Sequence, residues 1–303
     1  MKIIDCFLFN NEVNILLLRL EVMSGFVDRF VVIEASTTFS GLLKKSIFRE
    51  NQHLFKEHLY KIDYYFIEGI ADIKDPWEKE HFLRNELKVR SNAADADTII
   101  ISDVDEIINL SVVFKKYNYE SPSLIELKTY YYFLNNQSSE IIKVSLIAPY
   151  KTIKDYFVGD RNDYKNWVTK YITDDYGENG GHFTYQFGKN INKYINKIQS
   201  FSHQEYNNSY FLNTDRLRAC VKYRIDLFDR FNYRYTIVDL QKYDRNFYNH
   251  IERIPQLKEI YLQENFFDKF SHLSRFFNFY YLRYLKLNCK VKLYQLKKKI
   301  ISN

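Results

Sequence analysis

Two aspartates separated by one residue carry the clearest chemical signal in this 303-residue sequence. Asp103 and Asp105 follow Thr98–Ser102, a short apolar run whose β-branched residues are typical of a strand buried on both faces. In an extended backbone, side chains two positions apart point to the same side, so both carboxylates can converge at the carboxyl end of this strand. Two carboxylates this close repel each other unless a cation lies between them, and Mg²⁺ or Mn²⁺ bridging a diphosphate meets that requirement. The alternative is a strand end capped by acids, with Asp105 or Glu106 at the start of the next helix.

A histidine and a carboxylate stand close together later in the chain, at His203 and Glu205. In an extended backbone they share a face and offer an imidazole ligand, or an acid or base, beside a carboxylate. In a helix the two side chains point apart. The alternative is a histidine that satisfies a backbone carbonyl or stacks on an aromatic ring, and the backbone geometry decides between these interpretations.

Two weaker patterns complete the candidate residues. Gly180 and Gly181 before His182 allow a close approach of the backbone to a ligand, although a plain turn explains them equally well. Arg84 lies four residues after Glu80 on a predicted helix. It therefore either forms a solvent-exposed ion pair or reaches a diphosphate or a nucleobase.

The elements that must position these residues alternate, over the first hundred residues, between short apolar runs and amphipathic runs. This alternation favours parallel strands with crossover helices, as an open sheet or half-barrel. Asp75, Pro76 and Glu78 supply a capping residue, a proline at the first helical position and a glutamate at the third, which predicts a helix start. The predicted strands are Lys2–Phe9, Arg29–Ala35, Ile62–Ile67 and Thr98–Ser102, and the predicted helices are Val13–Met23 and Pro76 to about Asn92.

The pattern changes beyond Asp103. Leu124–Leu134 and Ile141–Ile147 predict longer strands in an antiparallel pair, and Asn190–Ser202 has a helical period. The sequence contains no internal repeat and no linker-like shift of composition. We therefore expect an α/β fold with a mostly parallel central sheet over residues 1–254 and a helical, basic C-terminal extension over residues 255–303.

Composition and charge exclude several classes of protein. Apolar residues make up 46% and charged residues 27%, close to the globular average, which excludes disordered, collagen-like and low-complexity chains. No stretch approaches the roughly 18 to 20 apolar residues needed to cross a bilayer. The first residues lack the pattern of a secretory signal, and the three cysteines have no metal-binding or redox spacing. We expect a soluble protein of a reduced, cytoplasmic compartment.

The net charge of +6 is concentrated near the end of the chain, where residues 269–303 contain nine Lys or Arg and no acid. This segment also carries an apolar stripe at helical spacing. The stripe either lies on anionic lipid, as a peripheral membrane contact, or packs on the preceding domain with its lysines in solvent. Nucleic acid is not an expected partner, because no recognition module accompanies the basic residues. The stripe consists of Leu282, Leu285, Cys289, Leu293, Leu296 and Ile300.

Five segments taken together resemble glycosyltransferase family 17, the family of β-1,4-mannosyl-glycoprotein β-1,4-N-acetylglucosaminyltransferase. Their occurrence in family order is far more specific than an Asp-x-Asp pair. The resemblance implies a GT-A-like nucleotide-sugar-binding fold, a UDP-N-acetylglucosamine donor, a Mn²⁺ or Mg²⁺ ion, inversion at the anomeric carbon and a glycan acceptor. The segments are residues 2–12 (KIIDCFLFNNE), 31–41 (VVIEASTTFSG), 75–85 (DPWEKEHFLRN), 100–107 (IISDVDEI) and 200–205 (SFSHQE).

The resemblance also assigns roles to individual residues. An inverting transfer needs a carboxylate that deprotonates the acceptor hydroxyl, for which Glu205 is the first candidate and Asp175 the second. The chain departs from the family at Gly181, where family members usually carry tryptophan, so the acceptor side is expected to differ. The further implied roles are metal binding for Asp103, Asp105 and His203, donor binding for Glu34, Arg84, Asn85, Asp103 and Asp105, and acceptor contact for His182 and Glu106.

Two other functions stay open from the sequence. A haloacid-dehalogenase-like phosphohydrolase also has an Asp-x-Asp pair after an apolar strand, although that class places the pair on the first strand, followed by a small residue and Thr or Val. Here the pair stands at residue 103 and is followed by Glu106 and Ile107. A glycan- or membrane-binding protein that keeps the fold without turnover is the non-enzymatic alternative.

Overall fold

The computed structural model of the protein describes residues 1–174, 177–231, 233–262, 279–287 and 289, with no side-chain description for Tyr243. The strands of this part are β1 (Ile3–Leu8), β2 (Arg29–Ala35), β3 (Ile62–Ile67), β4 (Thr98–Asp103), β5 (Glu106–Ile108), β6 (Ser123–Tyr131), β7 (Asn136–Pro149), β8 (Lys170–Ile172), β9 (Gly180–Thr184) and β10 (Tyr235–Ile237).

The helices of the described residues follow the same chain order. They are α1 (Val13–Met23), α2 (Ile47–Asn51), α3 (Pro76–Arg90), α4 (Leu110–Lys116), α5 (Tyr150–Ile153), α6 (Tyr164–Trp167), α7 (Ile191–Ser200), α8 (Thr214–Tyr223), α9 (Leu240–Tyr243), α10 (Arg245–Arg253) and α11 (Pro255–Lys258). Residues 279–287 are also helical. Single 3₁₀ turns lie at Gln52–Phe55, Leu59–Lys61, Ile70–Asp72 and Gln204–Tyr206.

The first four strands form the parallel half of the sheet, in the order β3-β2-β1-β4. β1 and β4 are almost entirely buried. The continuous apolar run of β4 predicts this, whereas the apolar sequence of β1 is interrupted by the buried Asp5. Helix α3 starts where the capping pattern predicts, because Asp75 Oδ1 accepts hydrogen bonds from the backbone N–H groups of Trp77 and Glu78 at 2.8 and 2.9 Å. β4 extends one residue further than predicted, so Asp103 is its last residue. This places the first aspartate at the edge where open α/β sheets bind ligands.

The second half of the sheet is mixed, so antiparallel strands are added to the expected parallel ones. β7 lies antiparallel to both β4 and β6, which confirms the predicted antiparallel pair. The connection between β6 and β7 is too short for a crossover, so the two strands must be antiparallel. β6 pairs in parallel with β8 and β9, and β5 closes the path antiparallel to β9.

Two apolar layers cover the sheet, and a third cluster adjoins it. In one layer, α1, α10 and α11 pack on the sheet. Leu16 of α1, Leu257 of α11 and Ile260 are buried in this layer. The other layer packs α3. The third cluster is rich in tyrosine and lies under α7 and α8. The proposed division after residue 254 stays a prediction, although the described residues just beyond it pack in the same core as α1.

Only part of the basic tail can be compared with its predicted packing. In the helical segment 279–287, Tyr284 is buried in the third cluster, while Leu282 is 44% exposed. Leu293, Leu296 and Ile300 lie outside the described residues, so the lipid-binding stripe stays a prediction. Among the described residues, no helix has the length and apolar character required to cross a membrane.

Candidate active site

A buried arginine holds the backbone of the segment that carries the two aspartates. Arg19 of α1 forms a fully buried ion pair with Asp5 of β1, with Nη2 2.6 Å from Oδ1 and Nε 2.8 Å from Oδ2. Its Nη1 donates hydrogen bonds to the backbone carbonyls of Asp103 at 2.9 Å and Glu106 at 2.7 Å. Its Nη2 also donates to Ser102 Oγ at 2.6 Å. The conformation of residues 103–106 is therefore fixed from inside the core.

The aspartates face one cavity, but not through strand alternation as expected. Val104 and Asp105 form a turn between β4 and β5, so the extended backbone ends at Asp103. Both aspartates nevertheless line the same cavity, whose volume is about 700 Å³. The turn held by Arg19 therefore produces the convergence that an extended strand was expected to give.

Asp103 sits between two arginines. Its Oδ1 accepts a hydrogen bond from Arg84 Nη2 at 3.0 Å and its Oδ2 accepts one from Arg161 Nη1 at 2.7 Å. Arg161 also binds Glu106 Oε1, at 2.5 Å. Burial alone would raise the pKa of Asp103, but the positive charges of Arg161 and Arg84 hold that pKa well below its ordinary value. Asp103 is therefore a carboxylate at every pH at which the protein is expected to work.

Asp105 has weaker compensation for its charge. Its side chain is 8% exposed, with Lys197 Nζ 3.3 Å from Oδ2 and His182 Nε2 3.6 Å from Oδ1. Lys197 is shared with Glu12, which lies 3.0 Å from it. Burial raises the pKa of Asp105 above its ordinary value, because Lys197 and His182 offset the loss of solvent only in part. A further cation beside Asp105 would favour its charged form.

The glycines before His182 serve strand pairing. Gly180 has φ +117°, and a Cβ there would lie 2.2 Å from the carbonyl oxygen of Ile107 on the neighbouring strand β5. The two glycines therefore form neither the turn nor the ligand-facing backbone that the sequence left open. His182 lines the cavity, and its Nδ1 is buried with no hydrogen-bond partner among the described residues.

His203 and Glu205 meet at a 3₁₀ turn, not on the extended backbone for which a shared face was expected. His203 also contacts the ring of Trp77, with 4.7 Å between ring centres, as the alternative of an aromatic contact predicted. His203 immediately precedes the 3₁₀ turn Gln204–Tyr206, and its Nδ1 lies 2.7 Å from Glu205 Oε1. His203 lines the cavity, whereas Glu205 is not among the residues described as lining it. Burial would raise the pKa of Glu205, but hydrogen bonds from its own backbone and from His203 lower it below its ordinary value. The imidazole therefore stands between Glu205 and the cavity.

Three other predicted residues lie behind the cavity wall in the described part of the chain, and Asp175 lies outside that part. Glu34 is fully buried and accepts hydrogen bonds from Lys44 Nζ at 2.7 Å and from the backbone N–H of Ile47 at 2.8 Å. Asn85 Oδ1 accepts from the backbone N–H of Val158 at 3.3 Å. Glu106 is 1% exposed and accepts from Ser145 Oγ at 2.7 Å. These side chains hold the site together, and of their partners Lys44 and Arg161 line the cavity.

Sequence reasoning missed several charged groups of the site. Arg161 lies 58 residues from Asp103 in the chain and Lys197 lies 92 residues from Asp105. Arg161 gave no local signal. The position of Lys197 could have been predicted from the helical pattern, since Lys197 adjoins the buried face of α7 formed by Tyr194 and Ile198. A cation at the border of an apolar helix face is a candidate for a buried ion pair.

The residues present fit a divalent cation that is shared with a ligand. The two carboxylates supply the hard oxygen ligands that Mg²⁺ and Mn²⁺ prefer. Among the described residues, no three His, Cys, Asp or Glu side chains are grouped so that they could hold a metal. The predicted third ligand His203 contacts Glu205 through Nδ1, and its role as a metal ligand stays a prediction. Mg²⁺ commonly takes one or two carboxylates and completes its shell with water and substrate phosphates. Asp103 and Asp105 would hold such an ion.

Comparison with known families identifies the class of protein. The family model for glycosyltransferase family 17 matches residues 1–273, which include both aspartates, the cavity and the His203–Glu205 pair. The chain belongs to glycosyltransferase family 17 and is a glycosyltransferase. This membership favours the transferase over the phosphohydrolase and the non-catalytic binding protein. Comparison with curated protein sequences gives no significant match.

Proposed function

We propose that the protein is an inverting, divalent-metal-dependent glycosyltransferase of GT-A-like fold that moves N-acetylglucosamine from UDP-N-acetylglucosamine to a hydroxyl group of a glycan. The observation that carries the proposal is the joint position of Asp103 and Asp105 in a cavity of about 700 Å³ beside three cationic side chains. The cavity opens at the carboxyl ends of β1 and β4, where α/β sheets of this type bind nucleotides.

The charged residues of the cavity suit a nucleoside diphosphate. Arg84 and Arg161 present guanidinium groups, which bind phosphate oxygens in bidentate fashion, and Lys197 adds a point charge. When bound, a divalent ion would neutralise the charge that develops on the departing diphosphate. Because the three side chains are already held by carboxylates, they are oriented before the ligand arrives. Glu34 would not contact the donor itself. Its carboxylate orients Lys44, which lines the cavity and would contact the donor.

The reaction needs a group that accepts the acceptor's proton. The acceptor oxygen forms a bond to the anomeric carbon while the bond from that carbon to the diphosphate breaks, and the electron pair of the broken bond leaves with UDP. We assign the acceptance of the proton from the acceptor hydroxyl to the His203–Glu205 pair. His203 faces the cavity, and the carboxylate of Glu205 at its Nδ1 stabilises a protonated ring. Asp175 stays the second candidate for the base.

A thermal-shift panel tests the donor. UDP, GDP, CMP and dTDP sugars are compared with and without Mn²⁺, and the melting temperature is recorded. We expect a stabilisation confined to UDP-N-acetylglucosamine in the presence of the metal. No stabilisation by any nucleotide sugar would contradict the proposed function, and stabilisation by a different nucleotide would replace the donor. A phosphatase assay with and without UDP-sugar tests the alternative. Release of inorganic phosphate in the absence of UDP-sugar would favour a phosphohydrolase.

A further inference from the structure

Five of the aromatic side chains that line the cavity form one group next to the charged residues. We call this set the aromatic wall. Its members come from the start of α3, from the segment after α7 and from the loop after α8, so the fold brings them together from distant parts of the chain. They are Trp77, Phe201, His203, Tyr206 and Phe228.

The rings of the aromatic wall contact one another in a chain. Trp77 lies 4.7 Å from His203 between ring centres, at 86°, and His203 lies 5.6 Å from Phe201, at 53°. Tyr206 lies 4.3 Å from Phe228, at 39°. Phe201 and Phe228 are nearly parallel, at 22° with their ring centres 6.0 Å apart, whereas the rings in the other three contacts are tilted, so the wall forms a curved surface. Every member keeps part of its surface exposed, and Trp77 is 37% exposed.

A chain of polar contacts ties the aromatic wall to the acid pair. Asp103 binds Arg84 at 3.0 Å, and Arg84 binds Glu80 at 2.7 Å. Glu80 accepts a hydrogen bond from Ser202, which lies between Phe201 and His203. The aromatic wall therefore begins beside the site proposed for the diphosphate, and partly buried hydrogen bonds connect the two.

A second connection runs on the other side of the cavity. Phe228 contacts Tyr185 at 5.7 Å between ring centres, and Lys197 Nζ lies 5.1 Å from the centre of the Tyr185 ring. Lys197 is the cation that binds Asp105. Both ends of the aromatic wall thus meet the charged residues, and the wall spans one side of the cavity between them.

We propose that the aromatic wall is the acceptor subsite and that it binds the terminal pyranose ring of the acceptor through the C–H face of the sugar. This inference rests on the proposed function, which puts the donor diphosphate at the charged residues. A pyranose has an apolar C–H face and a rim of hydroxyl groups, so it suits a site that combines partly exposed aromatic faces with charged groups. His203 belongs to the wall, so a sugar bound there lies next to the proposed base.

The geometry favours a sugar over the nucleobase of the donor. A nucleobase is flat and stacks best on a parallel ring. The nearly parallel pair of the wall is Phe201 and Phe228, at 22°, whereas the ring of His203 is inclined by 86° to Trp77 and by 53° to Phe201, so this part of the wall offers no parallel slot. A chair-shaped pyranose and its glycosidic neighbour can follow such a curved surface. The wall also extends over several rings, which is more surface than one base covers.

Saturation-transfer NMR on the full chain, with UDP and Mn²⁺ present, tests this subsite. The probes are the methyl pyranosides of glucose, galactose, mannose and N-acetylglucosamine. We expect at least one probe to bind the wild type, with the strongest saturation on the C–H protons of one ring face. Trp77→Ala should weaken that binding on the order of ten-fold. Phe82→Ala is the matched control, because Phe82 lies on the same helix, is 40% exposed and is not among the described residues that line the cavity.

The outcomes separate the subsite from the proposed function. Binding of no pyranoside by the wild type, or equal binding by the wild type and Trp77→Ala, would overturn the subsite. Loss of UDP affinity in Trp77→Ala without loss of pyranoside affinity would assign the wall to the nucleobase and would also overturn it. Pyranoside binding that depends on Trp77 in a protein that binds no UDP would support the subsite and contradict the proposed function.

Intrinsic fluorescence gives an independent measurement. The sequence contains two tryptophans, so Trp167→Phe leaves Trp77 as the remaining one. Trp167 is stacked on Tyr156 at 4.8 Å and does not belong to the described cavity lining. We expect the pyranoside that binds in the NMR experiment to change the emission of Trp167→Phe and to leave that of Trp77→Phe unchanged. The reverse pattern would overturn the subsite.

Discussion

The cavity has a charged side and an aromatic side that are built in opposite ways. On the charged side, Asp103, Arg161 and Glu106 form ion pairs that are supported by the fully buried Arg19–Asp5 pair. The aromatic wall is made of partly exposed rings at a helix start and in loops. The charged side is therefore oriented in advance, as electrostatic stabilisation of a leaving group requires. The aromatic wall presents exposed ring faces in place of charges, as the proposed contact with the apolar face of a sugar requires.

The largest effect is expected on stability, from a substitution of Arg19, which supports the charged side from the core. Arg19→Met leaves Asp5 buried without its partner and removes the hydrogen bonds to the carbonyls of residues 103 and 106. Breaking a buried ion pair costs about 3–5 kcal/mol, so we expect the free energy of unfolding to fall by that amount. Urea unfolding followed by circular dichroism measures it.

Arg218→Met is the control for this substitution. Arg218 pairs with Asp215 at 3.0 Å, but both side chains are mostly exposed. Exposed pairs contribute about 0.2–1 kcal/mol, so the control should change stability little. Equal losses in the two variants would show that the Arg19 pair does not support the site.

The next effect is expected at Asp105. Asp105→Asn removes the charge that Lys197 and the proposed metal ion share, so UDP release from UDP-N-acetylglucosamine should slow about 10²–10³-fold. Asp63→Asn makes the same chemical change in a partly exposed pair with Arg29, away from the cavity. An activity of Asp105→Asn equal to that of Asp63→Asn would remove Asp105 from the mechanism.

A smaller effect on turnover is expected at the His203–Glu205 pair. Glu205→Gln keeps a hydrogen-bond acceptor for His203 Nδ1 but loses the negative charge, so the turnover number should fall about ten-fold or more while UDP affinity stays the same. Glu57→Gln, on the exposed surface, is the control. Steady-state kinetics and a UDP titration separate the two quantities. A loss of UDP affinity in Glu205→Gln would place this pair on the donor side.

The smallest effect is expected at the other end of β4, at Asp97. Its carboxylate accepts hydrogen bonds from the backbone N–H groups of Lys2 and Ala94 at 2.8 and 3.0 Å. Burial would raise its pKa, but these bonds lower it below the ordinary value of about 3.9. The bonds therefore stabilise the folded protein above that value, and the stabilisation is lost as the pH falls through the folded-state pKa.

Asp97→Asn should accordingly cost about 1 kcal/mol at pH 7, with no change in UDP affinity. The difference from the wild type should stay constant down to about pH 5 and shrink below about pH 4. Urea unfolding at several pH values measures it. A difference that already shrinks between pH 7 and pH 5 would contradict the lowered pKa of Asp97.

Local sequence patterns predicted the bounds of β4 and the start of α3. The unbroken apolar run before Asp103 gave β4 to within one residue, and Asp75 with Pro76 gave the start of α3. Both features depend on neighbours in the chain. The order of the five segments gave the family, which the match over residues 1–273 confirms.

Long-range contacts account for what the sequence did not predict. Arg161 and Lys197 reach the aspartates across 58 and 92 residues, and no spacing rule connects such positions. The mixed half of the sheet also results from long-range pairing. β6 pairs with the parallel strands β8 and β9 on one side and with the antiparallel strand β7 on the other. Glu34 was predicted to bind the donor because of its place in a segment, yet its carboxylate is used by Lys44 and by the backbone of Ile47.

A calorimetric titration tests the central claim most directly. UDP-N-acetylglucosamine is titrated into the wild-type protein with Mn²⁺ and again with the metal removed by EDTA, and Asp105→Asn is titrated with Mn²⁺. We expect one binding site in the wild type with metal, and loss of binding both without metal and in Asp105→Asn. Undiminished binding by Asp105→Asn, or no binding by the wild type, would contradict it.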